Sequence, residues 1–353
     1  MTNATTQPTA QSTYLPVRQA WLDQRQEEIL DPELPIVDPH HHLWDRPDWR
    51  YLLDELLADL NSGHTIVATV FVQCRSMYRA EGLQELRPVG ETEFVNGVAA
   101  MSASGGYGPA RICAGIVGHA DLQLGARVEA VLQAQLRAGG DRFRGIRHIS
   151  AWDADASVLN PAYAPPPGLL ADPTFREGFA RLAPHTLSFD AWLYHPQIEE
   201  LTALARAFPE TRIVLNHVGG PLGIGVYGGR RDEVFGRWAA SIQTLATCPN
   251  VFVKLGGLGM RINGFDFHEQ PEPPSSETLA AAWRPYVETC IAAFGASRCM
   301  FESNFPVDKG SYAYAIFWNA CKRLTQGSSL AERTDLFSRT AARFYRLDLP
   351  SGK

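Results

Sequence analysis

A single (β/α)8 barrel is the fold this sequence predicts, and three observations predict it. Eight short apolar runs rich in β-branched residues recur along the 353 residues, at 36–42, 66–74, 112–121, 143–149, 187–194, 212–219, 251–258 and 299–306. Their starts lie 25 to 48 residues apart, which is the spacing of strand–helix units. The stretches between them carry helical spacing at 128–137, 174–183, 198–207, 232–246, 277–294 and 312–325. The competing architecture, a doubly wound sheet, calls for a glycine-rich turn after the first strand. The residues there are Leu43, Trp44, Asp45, Arg46 and Pro47, with no such turn.

Each part of the chain then takes a place. Residues 1–33 read as an N-terminal tail and lead-in, and the first fourteen lack the basic and apolar regions of a signal peptide. Residues 34–347 form the barrel and 348–353 a C-terminal tail. The Gly- and Pro-rich stretches 102–110, 160–170 and 259–276 suit loops over the barrel mouth. A hydrophobic content of 45% supplies a large core and excludes disorder. Six cysteines without a CxxC pair point to reduced thiols in a cytoplasmic protein. No run of eighteen apolar residues implies a membrane span. The net charge of -6 argues against nucleic acid as a partner but leaves room for a local basic pocket and a small anionic substrate. Apolar outer-helix residues such as Tyr312 to Trp318 would suit a homodimer.

The chemistry gathers at strand ends. The run Asp38, Pro39, His40, His41, His42 closes the first strand, and alternation sends Asp38, His40 and His42 one way and His41 the other. Two imidazoles at i and i+2 suit ligation of one divalent ion or, without one, hydrogen bonding to an oxyanion. His195 and His217 close the fifth and sixth strands, and ligands from separate strands are what a metal site in a barrel requires. On the eighth run Glu302 and Asn304 share a face. Asn304 can orient substrate or water, and Glu302 reads either as a desolvated base or as a partner of Lys254 or Arg147. Arg147 has the fork to clamp a carboxylate, unless it pairs with Glu302 or Asp190. Gln73 and Lys254 are further candidates for substrate contact. Trp44 and its neighbours to Tyr51, with 261–268, could form an aromatic wall and lid, or simply pack on outer helices.

Taken in order, Asp-x-His-x-His at 38–42, Gly-Ile-Arg-His at 145–148, Asn-His-Val-Gly-Gly-Pro at 216–221, Val-Lys-Leu-Gly-Gly-Leu at 253–258 and Glu-Ser-Asn-Phe-Pro at 302–306 resemble the amidohydrolase superfamily. More narrowly they are similar to its amidohydrolase-2 branch of metal-dependent barrel hydrolases, which holds lactonases with decarboxylases and hydratases as cousins. The resemblance implies catalysis by His40, His42 and His217, with zinc or manganese or by a metal-free route, and a strand-eight acid that activates water. The branch usually carries Gly-Ser-Asp there, so Asn304 stands at the Asp position and Glu302 at the Gly position. The expected function is hydrolysis of a small carboxylated lactone from aromatic or sugar-acid catabolism. A decarboxylase or hydratase on the same scaffold, or a ligand-binding barrel without the usual base, are its rivals.

Overall fold

The computed structural model describes residues 14–163 and 165–349. One eight-stranded parallel sheet runs through it in sequence order: β1 Ile36–His41, β2 Ile66–Val72, β3 Arg111–Gly118, β4 Phe143–Ile146, β5 Ser188–Ala191, β6 Ile213–Leu215, β7 Val251–Leu255 and β8 Cys299–Phe301. Helices fill the connections, so the chain is a (β/α)8 barrel. The sheet closes only at its C-terminal rim. His41 bridges Phe305, the His42 amide donates to the Phe305 carbonyl at 2.8 Å, and the Asn304 amide donates to the His40 carbonyl at 3.0 Å. Closure therefore fixes the two strand ends that carry most of the candidate site.

Six helices were expected and lie where the spacing placed them: α3 Val128–Gly139, α4 Pro173–Phe179, α5 Ile198–Ala207, α6 Arg231–Ala246, α7 Ser276–Phe294 and α8 Tyr314–Leu324. Beyond one short turn of helix at Gln19–Leu22, two more precede them. Helix α1, Leu53–Leu60, buries Leu53, Leu56 and Leu60 at helical spacing, while α2, Val89–Ala103, contains Gly90 and Gly97, which blur its period. A short hairpin of Trp44–Arg46 and Trp49–Tyr51 follows β1.

The barrel interior is packed, not hollow. Val37, Val70, Val117, Val214 and Met300 meet there with Phe344, Tyr345 and Leu347, from α9 (Thr340–Tyr345) and the residues after it. This packing corrects the alternation expected for β1. Val37 points into the barrel and so does His40, because pairing with β2 slips between Asp38 and His41. Asp38 consequently faces outward, accepting from Ser303 Oγ at 2.6 Å and Tyr314 Oη at 2.9 Å. Burial pushes its carboxyl up to about 6 despite those hydrogen bonds.

The lead-in is not loose over its whole length. Leu15, Trp21 and Leu22 are buried, and Trp21 Nε1 donates to the Gln270 and Pro271 carbonyls at 3.1 and 3.2 Å, tying this segment to the loop before α7.

Close backbone approach makes one glycine indispensable. A Cβ on Gly178 of α4 would lie 2.2 Å from the Leu122 carbonyl oxygen and 2.9 Å from its carbon, so Gly178→Ala must shift backbone. We expect a loss of about 1–3 kcal/mol in denaturant unfolding. Gly236→Ala, on α6 with nothing within 4 Å, should instead gain about 1 kcal/mol.

Candidate active site

Glu302 is the hub of the rim. Its Oε1 accepts from the His217 backbone amide at 2.8 Å and from His217 Nδ1 at 2.7 Å. Its Oε2 lies 2.6 Å from His40 Nδ1 and 4.0 Å from Lys254 Nζ. All four side chains are at most 3% exposed. Below them Lys254 Nζ pairs with Asp190 at 2.7 Å and donates to the Pro39 carbonyl at 2.9 Å, while Tyr345 Oη donates to Asp190 at 2.8 Å. Lys254 is thus a foundation of the site and touches no part of the open cavity. Arg147 pairs with neither Glu302 nor Asp190, because the histidines and Lys254 already hold those carboxylates.

The partners of the histidines settle what each ring can offer. His42 Nδ1 donates to the Val72 carbonyl at 2.7 Å and His217 Nδ1 donates to Glu302, so both rings turn a bare Nε2 elsewhere. His40 stands between two cations, with Lys254 Nζ 3.3 Å from Nδ1 and Arg147 Nη1 3.2 Å from Nε2. Desolvation, with Lys254 as the next cause, holds its pKa well below the usual imidazole range. Desolvation does the same to His42, aided by Arg147. It also lowers His217, against the upward pull of Glu302. Neutral rings of this tautomer accept protons or ligate; they do not donate to a carbonyl. The donor is Arg147, whose Nη2 is fixed on the Gln73 carbonyl and whose Nε has no partner among the described residues.

Backbone strain buys this placement. His217 and Val218 sit at φ of 54° and 48°, which non-glycine residues seldom adopt. Gly257 packs against the His217 side chain: a Cβ there would lie 2.4 Å from Nδ1 and 2.5 Å from Cγ and Cβ.

His42, Arg147, His217 and Asn304 line one cavity of about 640 Å³ that opens to solvent. Asn304 Nδ2 donates to Asp308 at 2.9 Å, which turns its carbonyl oxygen toward the other side. Asp308 was not anticipated, although it stands four residues on; burial raises its carboxyl to about 7. The remaining wall includes Tyr14, Leu15, Tyr163, Trp192, Tyr194, Met260 and Ile262, with Ile149 and Arg261. Trp192 and Tyr194 continue the inward alternation of Asp190 and were legible in principle. Tyr14 and Leu15 come from the presumed tail and carried no signal.

Other expected residues lie elsewhere. His195 accepts from the Leu222 amide and lines a groove between α5 and α6. Trp44 stacks behind His42 at 5.8 Å, 18° from parallel, and supports that ring from the core. Gln73 lines an adjoining pocket. Phe265 and Phe267 pack on Tyr286 and Trp283, as outer-helix packing would have them.

His40, His217 and Glu302 bring one ligand atom each within 4.8 Å of the others. Two imidazoles and a carboxylate are the right donors for zinc or manganese, and Glu302 Oε2 has no well-formed hydrogen bond among the described residues, an orphan that a cation would satisfy. The set fits a divalent ion in kind, with Lys254 and Arg147 as flanking positive charges.

Residues 37–347 match the amidohydrolase family. The chain is 34% identical to protein y4mH of Sinorhizobium fredii, over 89% of this chain and 99% of that one. It is 27% identical to the L-fucono-1,5-lactonase of Burkholderia ambifaria, over 90% and 97%. Among solved structures, a Burkholderia multivorans amidohydrolase with bound zinc shares 25% identity at a TM-score of 0.68, over 89% of this chain and 99% of that one.

Acid should loosen the protein through this buried polar set. His40, His41, His42, His64, His119, His148, His195 and His217 all have lowered pKa values, so below about 6.5 the unfolded chain takes up protons the native state refuses. Five carboxyls raised by burial, Asp38, Asp59, Glu91, Glu200 and Asp308, work the other way but are fewer. Melting temperature should therefore fall steadily as pH drops from 6.5 toward 4, which calorimetry across that range will read.

Proposed function

We propose that this chain, which belongs to the amidohydrolase family, opens the ring of a small carboxylated lactone by hydrolysis. The observation that carries the reading is one cavity wall combining an acceptor histidine held by a carboxylate, His217 on Glu302, with an arginine that keeps a free N–H, Arg147. Ester opening needs both: a base for water and a donor for the oxyanion. The likeness to an L-fucono-1,5-lactonase supports the ester as the bond attacked.

The steps follow from the geometry. His217 Nε2 takes a proton from water while the hydroxide oxygen bonds to the lactone carbonyl carbon. The Arg147 guanidinium, which lines the cavity, meets the developing oxyanion. Glu302 stabilises the imidazolium without taking its proton, since Oε1 already accepts from His217 Nδ1 and the His217 amide. The ring C–O bond then breaks, and the proton on His217 passes to the leaving alkoxide. The Asn304 oxygen orients the water. Arg261 at the rim suits the substrate carboxylate. Zinc or manganese held by His40, His217 and Glu302 would supply Lewis-acid polarisation of the carbonyl as the alternative to this route, since a ligating His217 would no longer serve as the base.

Glu302→Gln should lower kcat by about 10²–10⁴ with little change in KM. The wild-type rate should rise with pH through a midpoint below about 6.5, where His217 becomes neutral, and the variant's midpoint should lie lower because the carboxylate no longer supports the cation. Activity retained after exhaustive chelation assigns polarisation to Arg147; activity lost and restored by zinc or manganese assigns it to the ion. A protein that opens no lactone in a broad panel, or that releases carbon dioxide from carboxylated phenols instead, overturns the reading.

A further inference from the structure

A second, strongly polar pocket of about 600 Å³ adjoins the catalytic cavity and shares Ile149 and Tyr163 with it as walls. Gln73, Arg75, His119, Asp121 and His148, at the ends of β2, β3 and β4 or just beyond, supply most of its remaining polar lining. The catalytic mechanism uses none of these five side chains. Gln73 is 1% exposed, yet its Oε1 has no hydrogen-bond partner among the described residues. A buried acceptor left in that state is costly unless something donates to it.

The surrounding groups define what would fit. His119 Nδ1 donates to the Arg147 carbonyl at 3.1 Å, which leaves Nε2 as an acceptor. His148 Nδ1 accepts from the Leu122 amide at 3.2 Å, so its Nε2 carries the hydrogen and donates. Arg75 is a second donor, its guanidinium laid over the Tyr163 ring at 4.3 Å and anchored on the Ala162 carbonyl. Asp121 spends Oδ1 on the Gln123 amide at 3.0 Å and adds another acceptor with Oδ2. Three acceptors interleaved with two donors would repel a phosphate and offer nothing to an apolar ring. Groups that both give and take hydrogen bonds match them, and vicinal hydroxyls are such groups.

We propose that this pocket is a polyol subsite which receives the hydroxylated arm of the substrate, with Tyr163 as the partition between reacting ring and arm. The proposal rests on the lactone reading and narrows it to polyhydroxylated sugar-acid lactones, against lactones derived from aromatic rings. Arg147 links the two compartments, because its carbonyl holds His119 while its side chain stands at the reacting centre.

Two lactones separate the classes: D-glucono-1,4-lactone, whose arm carries two vicinal hydroxyls, and muconolactone, without hydroxyls. The ratio of their kcat/KM values should fall about tenfold in Gln73→Leu and again in Arg75→Met, which is exposed and should fold normally. A ratio that stays constant while both rates fall, or while neither moves, overturns the subsite. If the wild-type protein opens neither lactone nor any other in the panel, the hydrolase reading fails by itself, and calorimetry with gluconate decides the pocket. Binding weakened about tenfold by either substitution supports it; no binding to the wild-type protein overturns it.

Discussion

One buried carboxylate organises the C-terminal rim of the barrel. Glu302 joins β1 to the turn after β6 by holding His40 and His217 together, and the Lys254–Asp190 pair beneath joins β7 to β5. Buried charges are tolerated only when paired and hydrogen-bonded, so these four strands cannot drift independently without stranding an ion in the protein interior. The glycines after β7 complete the arrangement. A Cβ on Gly256 would strike Glu302, and one on Gly257 would strike His217. The rigidity of the His217–Glu302 pair therefore comes from barrel strands and strand ends, while much of the outer cavity wall comes from loops.

That division shapes the mouth. The reacting end is neutral imidazole, carboxylate and guanidinium in a confined space, and the outer wall is aromatic. Two segments far apart in sequence, 14–15 and 260–262, close over it, and they are tied together through Trp21 and the loop before α7. A barrel of this kind can change specificity by altering its covering segments without disturbing the charge pairs below.

Much of this was legible in the sequence, for a physical reason. Strand period and βα spacing report directly on burial, so the eight strands, six helices and the inward placement of His40, His42, Arg147, His217 and Glu302 could be read from pattern. What escaped depended on backbone detail or on distance along the chain. Outward placement of Asp38 required a register slip at Pro39 that alternation does not encode. The histidines were expected either to ligate an ion or to hydrogen-bond an oxyanion, and only the partners on Nδ1 reveal the free nitrogens of His42 and His217 as acceptors. His195 looked equivalent to His217 as a strand-end histidine, but the short turn after Tyr194 carries it outside the barrel. Tyr14 and Leu15 could not have been assigned to the wall, since nothing local records where a tail will lie.

The contact between Gly257 and the His217 ring also constrains descent. In a population of related chains, any side chain at 257 must be accompanied by a reseated turn after β6, so these two positions can be replaced only in concert. Loss of the glycine alone would act as a one-way valve: the barrel would still fold and keep its pocket, but His217 would stand off Glu302. On the proposed chemistry binding would then outlive turnover, and chains lacking this glycine are where barrels of this build that have retired from chemistry should be sought.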